Sequence, residues 1–364
     1  MTSPFEQMMR DAARLMRSGN LGEATAAIQH ALGAVPMPPP VSTVPTGWLS
    51  EDADDDVVDV EARVVPERPD VPERRAAEPT RRPASFTQGH FRNELGARDY
   101  LLFEPAREAR DARALPLVVM LHGCTQNPDD FALGTGMNEL AAEQGFLVLY
   151  PEQSQRANPS RCWNWFKHNH QARGRGEPGI LAGMVREVMA RHDVDPARVY
   201  VAGLSAGGAM AAILGDAYPD LFAAVGVHSG LPTGAATDAQ SAFAAMNGGA
   251  QPLRRAPREG ATPPTIVFHG DADTTVHVVN GERVMDASGY AAGPERQPRQ
   301  SANGRDFTRH VYVDEAGIER AERWTIHCAG HAWSGGQAGG SYTDPRGPDA
   351  SAEMVRFFLA HPLR

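Results

Sequence analysis

The chain is 364 residues long, with 41% hydrophobic and 22% charged residues and a formal net charge of −10. That balance is ordinary for a globular protein, and without a basic stripe it argues against a nucleic-acid partner. Three cysteines are too few and too odd in number for a disulfide scaffold, and no apolar run approaches the roughly 20 residues of a membrane span.

The opening MTSPFEQMMRDAARLMRSGN lacks the basic start and unbroken apolar core of a secretory signal, and it carries Glu6 and Asp11. The expectation is a cytoplasmic protein, with export by another route left open. Phe5, Met8, Met9, Ala12, Leu15 and Met16 recur at helical spacing, Gly19-Asn20 interrupts, and Ala24, Ala27, Ile28, Ala31 and Leu32 resume it. Residues 1–32 therefore read as a helical hairpin. It would be a docking element or amphipathic arm, or else an anchor to a lipid or polymer granule. Residues 33–85 are rich in proline and charge and poor in apolar residues, so a disordered linker is expected there.

Residues 86–364 hold the folded body. A leading hairpin is expected near Phe91–Asn93 and Tyr100–Phe103. Strand candidates follow: LPLVVMLHG from Leu115, FLVLYPE from Phe146, RVYVAGLS from Arg198, FAAVGVHSG from Phe222, TIVFHG from Thr265 and ERWTIH from Glu322. Helices fit Asp129–Gln144, Pro178–His192, Ser205–Tyr218, Val278–Ser288 and Asp349–His361. Alternating strands and helices imply an α/β fold, a mostly parallel, doubly wound sheet behind a leading antiparallel hairpin.

Gly203-Leu204-Ser205-Ala206-Gly207 fits G-x-S-x-G between a strand and a small-residue helix. In that context Ser205 reads as a nucleophile on a tight turn rather than as a helix cap. A serine hydroxyl needs a base, and the base needs an orienting acid. In this arrangement the chain order is serine, acid, histidine. Asp273 is the candidate acid, with Asp271 as the alternative; His331 is the candidate base, and His327 is expected to be a packed strand residue. His122, His228 and His269 end other strands and read as supporting groups. The backbone N–H groups of Ala206 and Cys124 are the candidate oxyanion donors. No H-E-x-x-H spacing suggests a metal, and no P-loop lysine follows the glycines, so no metal or cofactor is expected.

LHGCTQN, CWNWF, GLSAGG, HGDAD and GHAWSGG together resemble the short-chain-length poly(3-hydroxyalkanoate) (PHB) depolymerase family of esterases, within the α/β-hydrolase superfamily. The resemblance runs from about Phe86 to the C-terminus. It implies a cofactor-free serine esterase acting on polyesters or oligoesters, with Ser205, Asp273 and His331 as its triad. It also implies a Cys124–Cys162 pair, whereas a cytosolic location would leave free thiols. Cys328 is expected to be a buried strand residue. Trp163 and Trp165 of CWNWF would border the cleft, or merely pack their loop, and Trp333 would form a substrate wall. Polymer-degrading members often carry an added binding domain. This sequence instead closes on a helix at Ala352–Leu359, so amorphous granules, soluble oligomers or small hydroxy esters are expected over crystalline polymer. The alternative is a feruloyl or acetyl-xylan type of carbohydrate esterase, because related proteins share the motif set. A third reading, a hydrolase-like scaffold used only for binding, fits poorly with an intact Ser/Asp/His set.

Overall fold

Local chemistry sets the elements of the chain, and one sheet then gathers them. The structure is a computed structural model and describes residues 81–108, 113–249, 262–292, 299–300 and 303–363. The hairpin expected at 1–32 and the linker expected at 33–85, up to residue 80, lie outside the described residues.

Strands β1 (Ser85–Asn93) and β2 (Gly96–Glu104) form the leading antiparallel hairpin, longer than expected. Strand β3 (Leu115–Leu121) is buried at every position. Helices α1 (Pro128–Thr135) and α2 (Met137–Gln144) lead to β4 (Leu147–Pro151). Helix α3 (Gly176–Arg191), β5 (Val194–Leu204), α4 (Ala206–Ala217) and β6 (Ala224–His228) follow. Then come α5 (Ala239–Met246), β7 (Thr265–Gly270), α6 (Val279–Ser288), β8 (Asp306–Val313), β9 (Glu319–Ile326) and α7 (Ala350–Leu359).

The long strands lie in the order β8-β9-β7-β6-β5-β3-β4-β2-β1. The six from β9 to β4 are mutually parallel. From β3 the chain steps to β4 on one side and then returns to β5 on the other. The order in which strands are added thus reverses between β3 and β5, where doubly wound sheets place their ligands. The period of two along β3 divides the core. Leu117, Val119 and Leu121 pack with Leu181, Met210 and Leu214 on one face. Val118 and Met120 pack with Phe131, Met137, Phe357 and Phe358 on the other. No helix among the described residues is long and apolar enough to cross a membrane.

Two details depart from expectation. The single helix expected at Asp129–Gln144 is two helices, because Gly136 adopts φ 61° and its N–H turns back to Ala132 O. It caps one helix and starts the next. Helix α5 and strand β8 had no clear pattern; β8, DFTRHVYV, mixes charge into its alternation because one of its faces is half open.

At Gly136 any side chain meets a left-handed backbone, and a Cβ would lie 2.8 Å from Gln337 Nε2. Gly136→Ala is expected to cost about 1–2 kcal/mol, read as a lower urea midpoint with an unchanged slope.

Candidate active site

The turn after β5 is built by crowding. A Cβ on Gly203 would come within 2.6 Å of Leu121 O, and one on Gly207 within 2.0 Å of the same oxygen. Glycine at both positions lets the start of α4 press against β3. Between them Ser205 takes φ 58° and ψ −119°, a conformation that non-glycine residues adopt only when the surroundings enforce it. The N–H of Ser205 donates to His228 O at 2.8 Å. Ser205 stands at the N-cap position, yet its side chain makes no capping bond. The hydroxyl is therefore not spent on capping, although it stands at the positive end of a helix.

The loops after β7 and β9 leave the same edge of the parallel sheet as this turn. His331 Nδ1 lies 2.7 Å from Asp273 Oδ2. The other carboxylate oxygen of Asp273 accepts the N–H groups of Thr275 (2.9 Å) and Val276 (2.8 Å). Burial alone would raise the Asp273 pKa; the bond from His331, the His331 and His269 imidazoles and the Val276 N–H outweigh it and hold the carboxyl below its usual range. A carboxylate at Nδ1 sets the tautomer, so Nε2 is the free acceptor.

The rival acid has its own histidine. Asp271 accepts His327 Nδ1 at 2.8 Å through one oxygen and the Cys328 N–H at 2.7 Å through the other. His327 is not a packed strand residue. It sits past the end of β9, half-buried, with Nε2 bonded to Thr308 Oγ1 at 2.9 Å. Cys328 is likewise exposed, at φ 57°, because the chain turns out of the sheet there.

The candidate oxyanion loop leaves β3. Gly123 lies against the turn, since a Cβ on it would sit 3.7 Å from Ser205 Cβ. His122 Nε2 accepts the Gln153 N–H at 3.1 Å, which puts the ring proton on Nδ1, 2.7 Å from Gly123 O. That carbonyl shares a peptide with the Cys124 N–H, so His122 fixes the plane of the candidate donor. Ala206, first residue of α4, has an N–H with no intrahelical acceptor.

A family model described as Esterase PHB depolymerase matches residues 99–288, more than half of the chain. The chain belongs to that family. Poly(3-hydroxyalkanoate) depolymerase C of Paucimonas lemoignei is 34% identical over 226 residues, 59% of this chain and 54% of that protein. Poly(3-hydroxybutyrate) depolymerase of Ralstonia pickettii is 30% identical over 268 residues, 68% of this chain and 54% of that one. The chain thus spans about half the length of these curated relatives. Feruloyl esterase B of Thermothelomyces thermophilus is 29% identical over 55% of this chain and 73% of its own. The acetyl xylan esterase of Aspergillus awamori shares the fold, with TM-score 0.57 over 76% of this chain and 99% of that one at 18% identity.

In this PHB depolymerase family member the three tryptophans are not exposed cleft walls. Trp163 is 0%, Trp165 5% and Trp333 1% exposed. Trp163 Nε1 donates to His122 O at 3.1 Å, and Trp333 Nε1 to Ser351 Oγ at 3.0 Å. The indoles of Trp163 and Trp333 have thus found both apolar cover and a polar partner. Cys124 and Cys162 are bonded as a disulfide, the pairing that the resemblance implied. Glu177 organises the segment between. Fully buried, it accepts from Arg98 Nη2 (3.1 Å), the Asn164 N–H and Nδ2 (2.7 Å each) and Gln153 Nε2 (2.5 Å). Gln126 Oε1 accepts the Gly123 N–H at 2.9 Å, and Gln126, Gln153 and Glu177 are none of the triad or oxyanion candidates that the motifs supply. A polar residue near a helix start carries no sign of burial.

His228 accepts the Ser334 N–H at Nε2 (2.9 Å) and stacks on Trp333. His269 Nε2 lies 2.8 Å from Val276 O and 3.6 Å from Asp273 Oδ2. Both fill the supporting positions expected of them. Burial pushes the His122 pKa down from 6.5 to about 4 and lowers those of His228 and His269 as well. Below about pH 6.5 the unfolded chain takes up protons that these native rings refuse. Stability is therefore expected to fall from about pH 6.5 to about pH 5, where ordinary carboxylates stay ionised. A urea midpoint that stays flat across that window would contradict neutral burial of these rings.

Proposed function

We propose that the protein is a serine ester hydrolase of poly- or oligo-(3-hydroxyalkanoate) esters, hydroxybutyrate-type, working through an acyl-enzyme. The observation that carries this is the buried Asp273 carboxylate bonded to His331 at the rim where the strained Ser205 turn ends. Ser205 Oγ attacks the ester carbonyl while His331 Nε2 takes its proton. Asp273 stabilises the imidazolium, and the N–H groups of Cys124 and Ala206 receive the oxyanion. Collapse breaks the ester C–O bond, and His331 returns the proton to the leaving alcohol. A water, deprotonated by His331, then attacks the acyl carbon and releases Ser205.

The named depolymerases among its relatives support the hydroxyalkanoate substrate. The feruloyl esterase relative and acetyl xylan esterase fold neighbour favour a second reading, a carbohydrate-side-chain esterase. In the leading reading, residues 1–32 dock to a granule or to a protein partner. The cytoplasmic placement expected from the N-terminus stands against the Cys124–Cys162 bond, which suits an oxidising compartment better.

Ser205→Ala is expected to lower kcat on p-nitrophenyl butyrate by about 10^6-fold, and Asp273→Asn by about 10^4-fold. Undiminished turnover by the serine variant would remove the nucleophile assignment. Among natural-type esters, 3-hydroxybutyrate oligomers are expected to outrank methyl ferulate and acetylated xylan in kcat/KM. The reverse order would establish the carbohydrate-esterase reading.

A further inference from the structure

Tyr342 differs from the tryptophans around the site. The residue is 43% exposed, and its backbone holds φ 52°, a left-handed conformation unusual for a bulky residue. Thr125, in the oxyanion loop, is also left-handed at φ 65°. These two residues, 217 positions apart, touch: the Tyr342 hydroxyl lies 3.2 Å from Thr125 Oγ1. Thr125 spends its own proton on Cys124 O at 2.6 Å, so the tyrosine hydroxyl is the donor. The tyrosine ring meets the His331 imidazole edge-on, with centroids 6.4 Å apart and planes at 80°.

The neighbours over-determine this placement. Tyr342 O accepts the Trp333 N–H at 2.6 Å, two residues past the catalytic histidine. Ser341 donates its N–H to Asp130 at 2.8 Å, and its carbonyl takes Gln126 Nε2 at 3.1 Å. Two unusual backbones held face to face by this many bonds are the mark of a functional constraint.

We infer that Tyr342 is a specificity-determining residue that covers the leaving alcohol of the ester. The inference rests on the ester-hydrolase reading of Ser205 and His331. In that chemistry His331 protonates the departing alkoxide, so the alcohol oxygen lies within a hydrogen bond of the imidazole. A ring packed on that imidazole and tied by its hydroxyl to the oxyanion loop spans the two ends of the reacting ester. Its open face then meets the carbons of the alcohol. A branched secondary alcohol, the kind a further 3-hydroxyalkanoate unit presents, covers more of that face than methanol does.

The test uses the full chain, Tyr342→Phe, Tyr342→Ala and Tyr342→Asn, the last because asparagine tolerates a left-handed backbone. Two ester series are compared: 3-hydroxybutyryl and acetyl esters, each of methanol and of a secondary alcohol. The steps up to alcohol loss set kcat/KM, whereas deacylation no longer contains the alcohol. Tyr342→Ala and Tyr342→Asn are expected to lower kcat/KM about tenfold more for the secondary-alcohol ester than for the methyl ester in both series, with deacylation within about twofold of the parent. Tyr342→Phe keeps the ring and the alcohol preference. Equal losses for both alcohols, or a loss in deacylation, would overturn the assignment and leave Tyr342 a structural brace. If the alcohol effect holds while acetyl esters outrank hydroxybutyryl esters, Tyr342 keeps its role and the proposed substrate class falls instead.

Discussion

The approach of the Leu121 carbonyl to Gly203 and Gly207 is the constraint on which the rest of the site is built. A Cβ at Gly207 would lie 2.0 Å from that oxygen, closer than any two such atoms can come. Only a glycine lets β3, β5 and the start of α4 share this volume. Their contact places Ser205 beside the loop that leaves β3 and forces the serine into its strained turn. The strain is local, and the surrounding β-sheet holds it. Hydrogen bonds from β6 add to this, since the carbonyl of His228 receives the Ser205 N–H.

A second layer of buried polar groups steadies the opposite side. Glu177 gathers four donors from three segments, and through Gln153 the network reaches His122 and then the Gly123–Cys124 peptide. Such a network is worth keeping only when every member is satisfied, because a half-paired buried carboxylate is strongly destabilising. The disulfide and the indole of Trp163 tie the same loop from outside the network. A donor aimed at an oxyanion must not move when charge develops, and this arrangement would give the proposed Cys124 donor that rigidity.

The candidate acid and base come from loops that zip together. Asp271 N–H donates to Ile326 O and Ala272 N–H to Ala329 O, and the two Asp–His pairs bracket these bonds. The chain from Ser334 to Ser341 then folds back over the oxyanion loop through Gln126 and Asp130. Three segments distant in sequence thus hold one another, and Tyr342 sits where they converge.

The tight glycine-flanked turn at Ser205 and the parallel sheet were legible because local rules demand them. A turn that tight requires glycine at fixed spacing, and a strand buried on both faces requires an unbroken apolar run such as LPLVVML. What the sequence alone could not assign was decided by neighbours from far along the chain. Asp271 and Asp273 are two residues apart and chemically identical; only the paths of the loops after β7 and β9 give each its own histidine. Trp163, Trp165 and Trp333 look the same in sequence whether they face polymer or core, because burial depends on what covers them. Tyr342 carries no motif at all, and its exposure beside His331 exists only once residues 125, 331 and 342 are brought together by the fold.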